Sequence, residues 1–162
     1  METEVSYPDG IISIRPARLE ELGALSDLAL RSKGYWGYDA DFLESCRAEL
    51  TLTEGRLQAE TIRVAEKESV LLGFHSVFVN REEAELMGLF VDPEHIGLGV
   101  GRALWDDALE IASRRGTTRL RIEADPNAEA WYRRRGAMRV GQTPSGSITG
   151  RTLPLLELAI HR

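Results

Sequence analysis

Apolar positions along the chain follow two spacings, and each spacing predicts one kind of element. Apolar residues recur every three or four positions over residues 18–31, and again from an Asp39 or Asp41 cap to Leu50, which is typical of amphipathic helices. Shorter β-branched and apolar runs predict strands at 11–15, 61–66, 70–79 and 84–91. Only short polar turns separate the last three runs, so we expect an antiparallel meander there. Pro16 predicts that the first strand lies at a sheet edge.

The second half of the chain predicts two helices and three strands. A glycine-rich turn, Gly97–Gly101, leads into a helix through Arg115. Its inward positions are Val100, Leu104, Ala108 and Ile111. This helix is long enough to connect parallel strands, the second being 119–124. Asp125-Pro126 predicts the start of a short helix that ends at Gly136, because Asp caps helices and Pro suits the first helical position. The last strands are predicted at 138–143 and 153–160.

The resulting order is β-α-α-β-β-β-α-β-α-β-β, which predicts a mixed α+β fold around a mostly antiparallel central sheet. The chain has 162 residues, with neither an internal repeat nor a linker rich in Pro, Gly or Ser. We therefore expect a single domain over residues 1–162. The unpaired final strands of such a sheet favour a homodimer.

Composition and charge exclude several classes of protein. The net charge of −6 argues against nucleic-acid binding, which relies on a basic surface. Cys46 is the only cysteine and the three histidines lack metal-ligand spacing, so we expect neither an internal disulfide nor a metal site. No apolar run is long enough to span a membrane. Residues 1–9 lack the basic and apolar segments of a secretion signal, so we expect a cytoplasmic location.

The turn Gly97–Gly101 carries the strongest chemical signal. Three alternating glycines remove side chains at a helix N-terminus, where free backbone N–H groups suit a pyrophosphate. The spacing alone is equally consistent with a tight connection that binds nothing. A P-loop would need Gly-Lys-Ser/Thr, but Gly101 is followed by Arg102-Ala103. The preceding meander also argues against a dinucleotide-binding fold.

The segment from Val91-Asp92-Pro93 through Gly97-Leu98-Gly99-Val100-Gly101-Arg102-Ala103-Leu104 resembles the acyl-CoA-binding signature of the GNAT N-acetyltransferase superfamily. Asp125–Ala137 resembles the second CoA-proximal segment of that family, and the resemblance covers about residues 11–160. It implies a GNAT-like acyl-CoA N-acyltransferase fold. It also implies transfer of an acetyl group from acetyl-CoA to a primary amine, by direct attack in a ternary complex without a metal. One departure is that Glu94 or Ile96 stands where the family usually has Gln or Arg.

The resemblance also implies the residues that bind the cofactor. Backbone amides would bind the pyrophosphate at Gly97, Leu98, Gly99, Val100, Gly101 and Arg102. The backbone of Phe90 and Val91 would pair with the pantetheine arm as an added strand. Asn127 would bond to the pantetheine or to the neighbouring strand, but Asp125 competes for that position and either residue could simply cap the helix.

Two catalytic roles follow from the same resemblance. Tyr132 matches the tyrosine that protonates the leaving thiolate, although it also suits a core position beside Trp131. Glu85 stands where many members carry the glutamate that deprotonates the amine, directly or through water; Glu123 is the second candidate. Alternation would place Glu85 on the strand face of Met87, Leu89 and Val91, where partial burial suits a general base, whereas the alternative is a solvated charge.

The acceptor side carries less signal. In this superfamily the connection between the first two helices lines the acceptor cleft, and here it contains Tyr35 and Trp36. These aromatics suit a substrate-binding wall, a dimer contact or a local core. The loop 145–151 either covers the acceptor, with Arg151 binding a carboxylate, or is a surface loop. The rival function is a non-catalytic CoA-binding or sensor module, which the departure at Glu94 or Ile96 favours.

Overall fold

The computed structural model describes residues 1–7 and 10–161. Its strands are β1 (Thr3–Tyr7), β2 (Gly10–Pro16), β3 (Thr61–Lys67), β4 (Val70–Asn80), β5 (Glu83–Val91), β6 (Arg119–Glu123), β7 (Met138–Pro144) and β8 (Thr152–Ala159). Its helices are α1 (Leu22–Gly34), α2 (Ala40–Leu50), α3 (Glu54–Ala59), α4 (Val100–Arg114) and α5 (Glu129–Arg134). Short 3-10 turns lie at Leu19–Glu21 and Pro93–His95. None of the described helices is long and apolar enough to cross a bilayer.

One eight-stranded sheet in the order β1-β2-β3-β4-β5-β6-β8-β7 organises the molecule. The β5–β6 pair is parallel and the other pairs are antiparallel, which confirms the predicted mixed fold and the meander. Helix α1 packs on one face, where Leu25 and Leu28 contact Phe74 and its neighbours. Helices α4 and α5 cover the other face, where Leu104 and Tyr132 are buried.

Two parts of the N-terminal half differ from the sequence prediction. Strand β2 is not a sheet edge, because β1 pairs with it antiparallel along its outer side. Most β1 side chains are exposed, so the segment lacks the apolar pattern that would have predicted a strand. Helix α3 was also not predicted, since six residues are too few to show helical periodicity. The side chain of Thr53 caps it by accepting a hydrogen bond from Arg56 N.

The helix predicted to start at Asp125-Pro126 begins later, at Glu129. The Asp125 side chain accepts a hydrogen bond from the backbone N–H of Asn127, so it stabilises a turn ahead of the helix and does not cap it. At the start of α2 the cap is Asp39, which accepts from Phe42 N at 2.8 Å. Both predicted capping residues therefore bond to nearby backbone, but only Asp39 begins a helix.

A β-bulge at Met87 changes which side chains share a face of β5. Leu86 lies opposite Val77 and Gly88 lies opposite Ser76, so Met87 has no partner position on β4. Because an extra residue shifts the alternation, Glu85 lies on the α1 face of the sheet, whereas Leu89 packs on the α4 face. The prediction that Glu85 shares a face with Leu89 and Val91 is therefore wrong.

Candidate functional site

A cavity of about 610 Å³ opens where β5 and β6 separate. Its walls come from the α1–α2 connection, α2, the end of β5, the glycine turn, the end of β6, α5 and the loop before β8. Thus residues that are far apart in the sequence line a single space.

The separation of the two strands leaves the end of β5 paired with β4 on one side only. Parallel pairing joins Glu83–Leu86 to Arg119–Ile122 and then stops, while β5 continues to Val91. The five residues after Leu86 extend for roughly 17 Å. Among the described residues, no strand pairs with these five residues on the side of β5 that faces β6. Such an edge can pair with an extended ligand. Phe90 and Val91 line the cavity there, as the predicted contacts to an added strand require.

The glycine turn is Gly97–Gly101, and it forms the end of the cavity beyond Val91, which we call the glycine-turn end. Gly97 has φ +90° and Gly99, the residue before α4, has φ +82°, a region that side chains disfavour. A Cβ on Gly101 would lie 3.3 Å from the ring of Trp131, so a side chain would crowd the wall. The turn therefore leaves the first N–H groups of α4 open to the cavity.

Most of the predicted cofactor-binding residues of the turn line the cavity. They are Gly97, Gly99, Val100, Gly101 and Arg102. Leu98 does not line it and is 41% exposed. Glu94 and Ile96 are the two residues that could stand where the family usually has Gln or Arg. Ile96 lines the cavity, whereas Glu94 is exposed and lies outside the lining.

Asp92 fixes the entry to the turn. Its carboxylate accepts hydrogen bonds from Arg31 Nη2 at 2.9 Å and from the backbone N–H of Glu94 at 3.1 Å. Burial opposes ionisation, but these hydrogen bonds hold the pKa of Asp92 below its usual value. Helix α1 is thereby tied to the start of the turn. No local pattern in the sequence indicates this contact, because Arg31 and Asp92 are 61 residues apart in the chain.

Tyr132 is buried and also lines the cavity. Its ring packs against Trp131 and Trp105, with centroids 5.2 Å and 5.6 Å away. Burial and the nearby negative charge of Asp125 raise the pKa of the phenol. Tyr132 therefore occupies a core position beside Trp131 and also borders the cavity, and its role as a proton donor stays a prediction.

The two glutamates predicted as bases occupy different positions. Glu123 lines the cavity at the end of β6, whereas Glu85 is half-buried and lies outside the lining. Partial burial raises the pKa of Glu123, and the negative charges of Glu85 and Glu49 raise it further. The pKa of Glu123 therefore moves toward the range that suits a general base.

Glu49 on α2 was not predicted as a site residue, but it lines the cavity together with Glu123. Ser147, in the loop before β8, donates a hydrogen bond to Glu49 Oε2. The loop backbone lies close to α2, since a Cβ on Gly146 would meet Glu49 Oε1 at 3.0 Å. We call the region lined by Glu49, Glu123 and Ser147 the carboxylate end of the cavity.

Aromatic side chains stand at the open side of the cavity. Tyr35 and Trp36 line it and are 56% and 44% exposed, with an edge-to-face contact at 5.4 Å between ring centroids. Cys46 is buried on α2 and also borders the cavity. Tyr35 and Trp36 are therefore available to an incoming ligand.

Five residues form what we call the Asp125 cluster: Lys33, Tyr38, Asp125, Asn127 and Arg151. Lys33 Nζ lies 3.0 Å from the Asp125 carboxylate, which also accepts from the Tyr38 hydroxyl at 2.9 Å. Arg151 and Asn127 each donate to Tyr38 Oη, at 2.8 Å and 3.0 Å. Burial raises the pKa of Asp125, but the Asn127 N–H and the Lys33 charge outweigh it and lower the pKa overall.

The cluster joins three segments that are distant in sequence: the α1–α2 connection, the end of β6 and the loop before β8. Arg151, for which the sequence left open a contact to an acceptor carboxylate or a place in a surface loop, is engaged with Tyr38 and Asp125. Asn127, predicted to contact the cofactor, is exposed and directs its amide to Tyr38 and Asp125.

The sequence of the chain matches the model of one known protein family. The model of the Acetyltransferase (GNAT) family matches residues 24–137. Among curated proteins none matches the chain.

Solved structures share the fold. PaiA N-acetyltransferase from Thermoplasma acidophilum, in complex with coenzyme A, is 24% identical with a TM-score of 0.76, and the match covers 91% of this chain and 98% of that one. The ribosomal-protein-S18-alanine N-acetyltransferase from Escherichia coli is 18% identical with a TM-score of 0.70, covering 93% and 95%. YncA from Salmonella typhimurium, with its cofactor acetyl-CoA, is 22% identical with a TM-score of 0.66, covering 93% and 95%.

Proposed function

The chain belongs to the GNAT family of acetyltransferases, and from that premise we propose that it is an N-acetyltransferase. It transfers the acetyl group of acetyl-CoA to a primary amine by direct attack in a ternary complex. The observation that supports this proposal is the unpaired edge of β5, which runs from the glycine turn toward the part of the cavity that Tyr132 and Glu123 line.

The residues at the glycine-turn end fit coenzyme A. The turn presents backbone N–H groups and no side chain where Gly101 faces Trp131, which suits a pyrophosphate. Arg102 and Arg135 line the same end and add positive charge, and Arg135 stacks on Trp131 at 3.5 Å from the ring centroid. The backbone of Phe90 and Val91 would pair with the pantetheine arm. Asn127 remains a predicted contact of that arm.

Acetyl-CoA, when bound, supplies an acetyl group activated as a thioester, whose transfer yields an amide and a free thiol. The acceptor arrives as an ammonium and must lose a proton before its nitrogen can attack. We assign that proton to Glu123, which lines the cavity and whose pKa is raised by partial burial and by Glu85 and Glu49. Glu85, the first candidate from sequence, then acts through its charge on Glu123.

Tyr132 is assigned to the departing sulfur. Its raised pKa keeps the hydroxyl protonated, so it can donate a hydrogen bond to the thiolate. An ordinary thiol has a pKa of about 8.5, below that of a phenol, so complete transfer of the tyrosine proton is uphill. We therefore expect Tyr132 to stabilise the thiolate through this hydrogen bond, while the final proton of the thiol comes from the solvent.

The first test is thiol release from acetyl-CoA by the purified protein over a panel of amines. Glu123→Gln should lower kcat/KM by about 100-fold or more, the usual contribution of a general base. Because Glu123 must be ionised, the wild-type rate should fall as the pH drops through a value above 4.5, the ordinary pKa of the residue. Glu82→Gln, at an exposed position outside the cavity, is the matched control.

Two further variants distinguish the roles proposed for Tyr132, Glu123 and Glu85. Tyr132→Phe should lower kcat by about tenfold or more with little effect on the melting temperature. Glu85→Gln should lower the rate modestly and shift the acid limb downward, since it removes a charge that raises the pKa of Glu123. A 100-fold loss in Glu85→Gln with normal activity in Glu123→Gln would reverse the two roles.

The rival function, a CoA-binding or sensor module without catalysis, gives a different pattern. Acetyl-CoA at 100 times its Kd stabilises a binding protein by about 2.7 kcal/mol, which a thermal-shift assay detects. Stabilisation of this size without thiol release by any amine would contradict the N-acetyltransferase proposal and favour the sensor.

A further inference from the structure

The balance of charge inside the cavity differs between its two ends. At the glycine-turn end, the cations Arg102 and Arg135 line the wall; among the described residues neither forms an ion pair, although the charge of Asp106 acts on Arg135. At the carboxylate end, Glu49 and Glu123 line the wall. The cavity therefore has a positive end, which suits the phosphates of coenzyme A, and a negative end for the second substrate.

Cations do lie near the carboxylate end, but each of them already contacts another carboxylate. Arg56 forms a bidentate ion pair with Glu60, at 2.8 Å and 3.0 Å. Lys33 and Arg151 both contact Asp125, at 3.0 Å and 3.7 Å, so the cluster has two cations for one carboxylate. A ligand carboxylate that bound Lys33 or Arg151 would have to share that cation with Asp125.

The two carboxylates themselves have no such partners. Within the described part of the chain neither Glu49 nor Glu123 forms an ion pair; Glu49 accepts a hydrogen bond from the neutral hydroxyl of Ser147. Arg121 lowers the pKa of Glu123, but its ion pair is with Glu157, at 3.8 Å. Both carboxylates face water in the open cavity. A bound ligand would exclude that water and strengthen any attraction to a cation.

We propose that the acceptor is a small diamine without a carboxylate, and that Glu49 binds the ammonium that is not acetylated while Glu123 serves the amino group that reacts. This inference rests on the proposed function of the same cavity. One ligand with two ammonium groups matches both carboxylates, whereas a monoamine leaves one of them without a counter-charge. The exposed rings of Tyr35 and Trp36 add a second favourable surface for an ammonium at the open side.

An amino acid fits this end less well. Its carboxylate would lie near Glu49 and Glu123, and the described cations there already contact the carboxylates of Asp125 and Glu60. The two carboxylates without an ion pair therefore favour a dication over a zwitterion. This assigns to Glu49 the role of a specificity-determining residue.

The test uses three acceptors of equal chain length: 1,4-diaminobutane, 1-aminobutane and 4-aminobutyrate. With the wild-type protein, kcat/KM for the diamine should exceed that for the monoamine by at least tenfold, and 4-aminobutyrate should be the poorest acceptor. Glu49→Gln should reduce the ratio of diamine to monoamine by about tenfold, mainly through a higher KM for the diamine. Glu49→Asp, which keeps the charge, should restore part of the ratio.

Glu44→Gln is the matched control, since Glu44 lies on the same helix, is exposed and pairs with Arg47 outside the cavity. It should leave the ratio as in the wild type. Equal use of the diamine and the monoamine, or an unchanged ratio in Glu49→Gln, would overturn the inference while leaving an active N-acetyltransferase. Thiol release with none of a broad panel of amines, despite stabilisation by acetyl-CoA, would overturn the proposed function, and the inference with it.

Discussion

Single residues set the shape of the cavity at the glycine-turn end. Gly97 and Gly99 take positive φ values that residues with a Cβ rarely adopt, and Gly101 faces Trp131 at close range. The sequence already marked these glycines, because their alternation ahead of a helical pattern is visible without a structure. The structure adds the physical reasons: the backbone conformation of Gly97 and Gly99, and the space that Gly101 leaves beside Trp131.

Gly97→Ala should weaken the binding of coenzyme A. The backbone at Gly97, with φ +90°, would be strained by about 1 kcal/mol or more with a Cβ, although no atom lies within 4 Å of that Cβ. Relaxation of the turn would then move the N–H groups proposed to bind pyrophosphate. We expect a lower melting temperature and a Kd for coenzyme A raised several-fold, measured by calorimetry.

Gly23→Ala is the control for this substitution, because Gly23 lies in α1 and also has no atom within 4 Å of an added Cβ. It should stabilise the protein by about 0.5–1 kcal/mol, the usual gain from alanine over glycine within a helix. Normal coenzyme A affinity in Gly97→Ala would show that the turn conformation does not matter for binding.

At the scale of elements, a buried cluster of three polar side chains joins the sheet to α4, on the face of the sheet opposite α1. Arg63 on β3 donates to both oxygens of Asp107 on α4, at 2.8 Å and 3.1 Å, and His75 on β4 lies 2.7 Å from the same carboxylate. Burial lowers the pKa of His75, while the hydrogen bonds from His75 and Arg63 lower the pKa of Asp107 against the effect of burial. Arg63 also donates a hydrogen bond to the backbone carbonyl of Met1, so it holds the segment before β1 against the sheet.

Asp107→Asn should destabilise the protein strongly. It leaves the buried guanidinium of Arg63 without a counter-charge, and breaking a buried ion pair from one side costs about 3–5 kcal/mol. The free energy of unfolding from urea titration should fall by that amount. Asp106→Asn, at the adjacent exposed position on α4, should change it by less than about 0.5 kcal/mol. Equal stability of the two variants would show that the ion pair contributes nothing.

At the scale of the whole molecule, the net charge of −6 and the carboxylate end of the cavity act in the same direction on an incoming cation. Salt screens this attraction, since the Debye length falls from about 30 Å at 0.01 M to about 8 Å at 0.15 M. We expect kcat/KM for the diamine to fall over that range, and to fall more steeply than for the monoamine. Steady-state kinetics in increasing sodium chloride measure both slopes. Parallel slopes would argue against electrostatic attraction of a dication.

By itself the sequence determined most of the elements and the glycine turn at one end of the cavity. The meander, the crossover helix and the glycine turn were all predicted correctly, because hydrophobic spacing and alternating glycines are local patterns. Strand β1 and helix α3 were not, since an exposed strand and a six-residue helix have no such pattern. The family followed from two local motifs at the right separation.

Only the tertiary structure decided the other end of the cavity. The bulge at Met87 depends on the register between β4 and β5, and it places Glu85 on the opposite face from the one that alternation predicted. The proximity of Glu49 to the loop at Ser147 and the Asp125 cluster each join segments that lie tens of residues apart. Such contacts depend on how helices and strands pack, which local spacing does not encode; it is this packing that brings Glu49 and Glu123 into one cavity.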